Sequence, residues 1–190
     1  MTSKIKSEPR EKMSNRSFKG MTFFFKIIDF VFPFIDKRIK KFDIKEDSTI
    51  VDYGCGPGRY AIRFAKLVGI KGKVYAVDIH ELAIEKVYEK ISQYNLKNIE
   101  PVLSHGFDDG NYNCGLPDKI ADMVCALDMF FVIKNTDEFL AEIKRILKDD
   151  GIFILDDGHQ SRQSTIEKLE ASGAFKIIDE NKDHIKLIKQ

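Results

Sequence analysis

The 190-residue chain is 43% hydrophobic, enough to close one compact domain around a substantial core and too much for a wholly disordered protein. Its net charge of +1 hides +7 over residues 1–45 and −6 over the remainder, so the larger part is acidic and a broad nucleic-acid footprint is disfavoured. The N-terminus lacks the apolar core of a secretion signal, no stretch reaches the roughly 18 apolar residues that span a bilayer, and Cys55, Cys114 and Cys125 have no metal-ligand spacing. A cytoplasmic protein with reduced thiols and no metal site is expected.

Residues 1–17, rich in Lys, Ser, Glu, Pro, Arg and Asn, read as a disordered or loosely attached lead. Residues 18–45 read as an N-terminal helical cap. Eight of the fifteen phenylalanines fall between Phe18 and Phe42, among Ile27, Ile28, Val31, Ile35 and Ile39, interrupted by charges such as Asp29, Asp36, Arg38 and Lys41. Two helices are expected there, about 20–31 and 33–42, the second opening on Pro33, whose missing amide does little harm in a first turn.

Residues 46–190 form the main domain. Asp47 and Ser48 turn into an apolar strand, and strands and helices then alternate, which implies parallel βαβ units. The first strand runs into Ile50-Val51-Asp52-Tyr53-Gly54-Cys55-Gly56-Pro57-Gly58. A backbone that turns sharply and lets a ligand approach closely cannot carry β-carbons at the contact points, which is what glycine offers. The spacing is G-x-G-x-G with Arg59 next, whereas a nicotinamide fingerprint would place glycine or alanine at position 59. A helix about 58–68 follows, then the strand Lys73-Val74-Tyr75-Ala76-Val77-Asp78 ending before Ile79-His80, and a helix about 80–94 with Ala83, Ile84, Val87 and Ile91 on one face. A third strand, about 99–104, leads into a long loop rich in Gly, Asp and Asn. Strand 121–126, helix 136–147, strand 152–156 and helix 162–172 come next. The tail reads as a hairpin, 175–179 and 184–188, around Glu180-Asn181-Lys182-Asp183.

Strand, acid and G-C-G-x-G together resemble motif I of the class I S-adenosylmethionine-dependent methyltransferases, and the likeness extends over roughly residues 45–190. The resemblance implies an α/β, Rossmann-like seven-stranded sheet of order 3-2-1-4-5-7-6 with strand 7 antiparallel. The terminal hairpin agrees, since a nicotinamide Rossmann domain would continue with a parallel sixth strand. It also implies S-adenosyl-L-methionine as cofactor and S-adenosyl-L-homocysteine as product, held by Asp52, Tyr53, Gly54, Cys55, Gly56 and Gly58. Asp78 matches the acid that bonds both ribose hydroxyls in the family, with Ile79 beside it; a carboxylate suits a vicinal diol because it accepts two hydrogen bonds at once. Taken alone, Asp78 would better suit a cap for the following helix; strand, motif and acid in register favour the ribose. The family's Gly-Asp pair after strand 3 is replaced by Ser104-His105, followed by Gly106, so the adenine amino group falls to His105 or to Asp108 or Asp109. The family's L-K-P-G-G turn reads Leu147-Lys148-Asp149-Asp150-Gly151.

For the acceptor, the resemblance points to the carboxyl ends of strands 4 and 5, where open α/β sheets bind ligands. Asp128 and His159 lie there as candidate catalytic bases, Asp128 also as a candidate cofactor contact. Displacement at a sulfonium needs mainly alignment, and orientation alone supplies around 7–11 kcal/mol, so the family has no fixed catalytic motif. Tyr53 and Phe131 are candidate ring faces for the positive sulfur. The phenylalanine helices are a lid over a small, partly apolar acceptor, a homodimer surface, or a weak membrane-surface contact through residues 18–42; the protein is monomer or homodimer. The broad group of quinone and arsenite methyltransferases is the nearest likeness, the arsenite branch being disfavoured by too few cysteines. Alternatives are a cofactor-binding partner protein without catalysis and, less favoured, a nicotinamide oxidoreductase.

Overall fold

Apolar runs as continuous as Ile50-Val51 and Val124-Cys125-Ala126-Leu127 need cover on both faces of a sheet. The computed structural model describes residues 12–31, 34–104 and 112–190, with side chains for all of these except 26–31. It contains α1 (Asn15–Val31), α2 (Phe34–Ile39), β1 (Thr49–Tyr53), α3 (Ala61–Leu67), β2 (Lys73–Asp78), α4 (Glu81–Tyr94), β3 (Ile99–Leu103), β4 (Ala121–Ala126), α5 (Thr136–Ile146), β5 (Leu147–Leu155), α6 (Arg162–Ser172), β6 (Phe175–Glu180) and β7 (Ile185–Lys189). The seven strands lie in the order β3-β2-β1-β4-β5-β7-β6. Pairings from β3 across to β5 are parallel, and β7 runs antiparallel to both β5 and β6. The order and the antiparallel strand 7 are those the sequence implied.

Alternation along the strands builds two cores. Val51, Tyr53, Val124, Ala126, Phe153 and Leu155 meet Phe139, Leu140 and Ile143 of α5 and Leu169 of α6. Ile50, Val74, Ala76, Cys125 and Ile154 face the other way, against Ile35 and Ile39 of α2, Phe64 of α3 and Val87 of α4.

The element ends differ from expectation for local reasons. Helix α1 begins at Asn15 rather than near residue 20, because the Ser14 hydroxyl accepts from the Ser17 amide (3.3 Å) and the Ser14 carbonyl from the Phe18 amide (2.9 Å). The rest of the expected loose lead, residues 1–11, and Pro33 lie outside the described residues. Helix α2 stops at Ile39: the Lys41 and Phe42 amides tighten onto the Arg38 and Ile39 carbonyls, and Asp43 turns left-handed at φ +60°. Strand β5 starts at Leu147 instead of residue 152. Leu147 pairs with Ala121 and Ile152 with Met123, so the Asp149-Asp150 turn is looped out of a continuous strand. Gly151 is required there, since a Cβ would lie 2.7 Å from the Leu147 Cδ1 and 3.1 Å from the Ala121 carbonyl oxygen.

Candidate functional site

Strand order reverses between β1 and β4, which opens a crevice at their carboxyl ends. The glycine loop lies across it. The Gly54 and Cys55 amides donate to the Val77 carbonyl (2.8 and 2.9 Å), and the Gly56 amide donates to Asp78 Oδ2 (2.7 Å), which ties the loop to the end of β2. Gly54, Gly56 and Gly58 adopt φ of +78°, +51° and +74°. Their roles differ. A Cβ on Gly56 would meet nothing within 4 Å and would project into open space, whereas one on Gly58 would lie 3.0 Å from Val87 Cγ2 of α4. Gly58 is therefore constrained by the packing of α4.

Asp78 accepts from the Gly56 amide on Oδ2 and the His80 amide on Oδ1 (2.8 Å), and the Ile79 amide also acts on its carboxylate. Burial raises its pKa above the ordinary carboxylate value, against the pull of those amides. An ionised carboxylate offers about four lone-pair sites, so acceptor capacity remains for a diol. Asp52 does not join it. It is 2% exposed and lies outside the cavity wall, its carboxyl taking the Ala61 amide at the start of α3, and burial pushes its pKa up to about 7. It lies under the loop, away from the cavity that Asp78 lines. Tyr53 borders the cavity, but its ring is 0% exposed, stands edge-on to Phe139 at 5.4 Å, and donates its hydroxyl to the Tyr112 carbonyl. It offers no face to a sulfonium.

The cavity holds about 450 Å³. Gly54, Cys55, Gly56, Asp78, Ile79, Asp128, Phe131 and His159 line it, as do Met129 and His80. Phe131 meets the His159 ring edge-on at 4.8 Å. Asp128 sits at φ +59° with its side chain 53% exposed. His105, Gly106, Asp108 and Asp109 lie outside the described residues. Opposite the sheet edge, Met13, Phe18, Met21 and Phe25 of the α1 region close the cavity over. Phe18 rests on the His80 ring at 4.5 Å, Lys12 pairs with Glu81 at 2.9 Å, and the Arg59 guanidinium lies 3.8 Å from the Phe25 ring centroid.

Sequence reasoning missed Arg38. This α2 residue is 6% exposed and donates to the Asp156 carboxylate, the Tyr60 hydroxyl (2.7 Å) and the Asp183 carbonyl (2.6 Å). The other oxygen of Asp156 accepts from the amides of Asp128 (2.8 Å) and Gly158 (3.1 Å). One buried ion pair thus fixes the loops that carry Asp128 and His159, and joins the N-terminal cap to the terminal hairpin. The signal was its place in the stripe Ile35, Arg38, Ile39, Phe42, the inward spacing of a helix.

The fit of an adenosyl cofactor rests on the open space at Gly56 and the spare lone pairs of Asp78. Among the described residues no group of three His, Cys, Asp or Glu side chains could hold a metal, and no helix is long and apolar enough to cross a membrane.

Fold and site define a nucleoside-cofactor domain of the α/β class, and comparison with known proteins names its family. A family model described as a methyltransferase domain matches residues 44–187, and the chain belongs to that family. A crystal structure of an S-adenosylmethionine-dependent methyltransferase from Aquifex aeolicus is 27% identical, with a TM-score of 0.68 over 81% of this chain and 87% of that one. A Methanococcus maripaludis protein, solved as a candidate enzyme of the same kind, shares the fold at 22% identity and a TM-score of 0.75, covering 97% and 96%. S-adenosyl-L-methionine is the cofactor of this class. Ribosomal protein L11 methyltransferase of Clostridium perfringens is 34% identical over 143 residues, 74% of this chain and 41% of that protein. The chain spans about two fifths of the length of the curated relatives it matches.

Proposed function

We propose that the protein transfers the methyl group of S-adenosyl-L-methionine to a small, partly apolar acceptor enclosed between α1 and the carboxyl edge of β4 and β5. One observation carries this reading: Phe18, Met21 and Phe25 of α1 line the same cavity of about 450 Å³ as Met129 and Phe131. A chamber roofed by apolar side chains suits a small molecule better than a protein segment.

The cofactor supplies a methyl group already activated on a sulfonium. Asp78 would hold its ribose hydroxyls, Gly54, Cys55 and Gly56 would admit it against the backbone, and Ile79 would lie beside it. Asp128 and His159 line the same cavity, and on this reading either would take the proton lost by a neutral amine or hydroxyl. Closure of α1 excludes water and aligns the acceptor, which is most of what such a displacement needs. The buried free thiols Cys55, Cys114 and Cys125 fit a cytoplasmic setting.

A protein acceptor is the second reading, favoured by the relatives named for ribosomal protein L11. Methyl-labelled cofactor incubated with the protein and a size-fractionated cell extract tests both. Label in the small-molecule fraction supports the proposal, and label in ribosomal protein supports the second reading. Cofactor binding with no transfer to either fraction would leave a non-catalytic partner protein.

A further inference from the structure

Helix α1 has two apolar faces. Phe18, Met21 and Phe25 turn inward to the cavity, while Phe23 and Phe24 stand 67% and 58% exposed on the other side. Exposed phenylalanines on neighbouring positions of a helix are costly in water and mark a surface that something covers. We propose that this outer face docks on an anionic lipid surface, with Phe23 and Phe24 entering the interface.

Charge selects that occupant. Over residues 12–25 the charged side chains are Lys12, Arg16 and Lys19, all cationic, and the rest of α1 adds Lys26 and the single acid Asp29, so the helix keeps a net positive charge. The nearby Asp36 is paired with Arg63 at 2.7 Å, and Lys12 pairs with Glu81 at 2.9 Å, so Arg16 and Lys19 are the cations that carry the attraction. A basic helix flanked by exposed aromatic rings is the pattern of an interfacial helix, drawn to anionic headgroups and held by shallow insertion. A second copy of the chain fits less well. A two-fold contact through α1 would set two cationic helices against each other, and two phenylalanines a side fall far short of the roughly 800 Å² per partner of a stable interface. The proposal goes beyond methyl transfer and stands on the outer face of α1 whatever the acceptor is.

The test is co-sedimentation of the full chain with vesicles of equal parts phosphatidylglycerol and phosphatidylcholine, and with phosphatidylcholine alone. Pelleting should require phosphatidylglycerol, fall with added salt, and weaken by roughly tenfold for each phenylalanine removed in the Phe23→Ser/Phe24→Ser variant. S-adenosyl-L-homocysteine binding by that variant, measured alongside, shows that its fold and cofactor site persist. Any of three results overturns the proposal: no pelleting with the anionic vesicles, pelleting indifferent to anionic lipid, or pelleting unchanged in the variant. A dimer that the substitution dissociates, with no vesicle binding, would assign the face to a second copy instead.

Discussion

Replacing Arg38 by Met should be among the most damaging single changes in the chain. The guanidinium is 6% exposed and faces Asp156, itself 5% exposed, so its loss strands a carboxylate away from water and strips donors from the Tyr60 hydroxyl and the Asp183 carbonyl. Removing one partner of a buried ion pair costs about 3–5 kcal/mol. That is a large part of the roughly 5–15 kcal/mol that holds a domain of this kind folded. Arg38→Lys keeps the charge but cannot reach three acceptors in fixed directions, and should lose an intermediate amount. Asp156→Asn in the Arg38→Met background should recover part of the loss, because the amide oxygen can still accept from Asp128 and Gly158 while the stranded charge is gone. Urea unfolding followed by circular dichroism measures these three variants and Asp156→Asn alone, which closes the cycle, read at equal slope. A loss within about 1 kcal/mol for Arg38→Met, or strict additivity in the double variant, would refute the reasoning.

Three further outcomes are expected. His184 is 0% exposed, packed edge-on against Phe42 at 4.9 Å, and burial holds its pKa down to about 4 from 6.5. The unfolded chain takes up the proton first, so this contribution is complete above pH 6.5 and is lost as pH falls toward 4, by roughly 1–2 kcal/mol after solvent screening. His184→Phe should flatten that part of the Tm profile, and an unaltered slope would contradict it. Asp52 slopes the other way. With its pKa raised to about 7 by burial, the folded state keeps a proton that the unfolded chain has released, so stability drops as pH rises from about 4 to 7. The Tm of Asp52→Asn relative to the parent should therefore climb between pH 5 and 8; a constant difference would sink this reading. Gly56→Ala forces a left-handed residue to carry a Cβ into the cavity, so S-adenosyl-L-homocysteine affinity should fall about tenfold or more while stability drops only about 1–2 kcal/mol, the cost of that backbone conformation. Unchanged affinity by calorimetric titration would show that Gly56 does not face the ligand.

Much of the sheet was legible because its signals are local. Continuous apolar runs located β1, β2 and β4, α6 closed before Gly173 where expected, and the final hairpin announced the antiparallel β7. Boundaries failed where long-range pairing decided them, as in β5, whose first residue is recruited by Ala121 across a looped-out turn. In the site, glycine spacing and Asp78 could be read directly because they are a sequence motif. Asp52 and Tyr53 could not be placed, since neighbours in a motif alternate between the two sides of a strand and only the fold shows which side meets the crevice. Arg38 was hidden for a related reason: among the lysines of its segment it looks solvated, and its partners Tyr60, Asp156 and Asp183 are far away in sequence.

The most direct measurement is calorimetric titration of the protein with S-adenosyl-L-homocysteine, with Asp78→Ala as control and a thermal melt to verify that the variant folds. The expected result is one site per chain in the parent, weakened about a hundredfold in the variant, as the loss of charge-assisted bonds worth near 3 kcal/mol implies. No binding by the parent, or equal binding by a folded Asp78→Ala protein, would contradict the assignment of the glycine loop and Asp78 as the seat of the methyl donor.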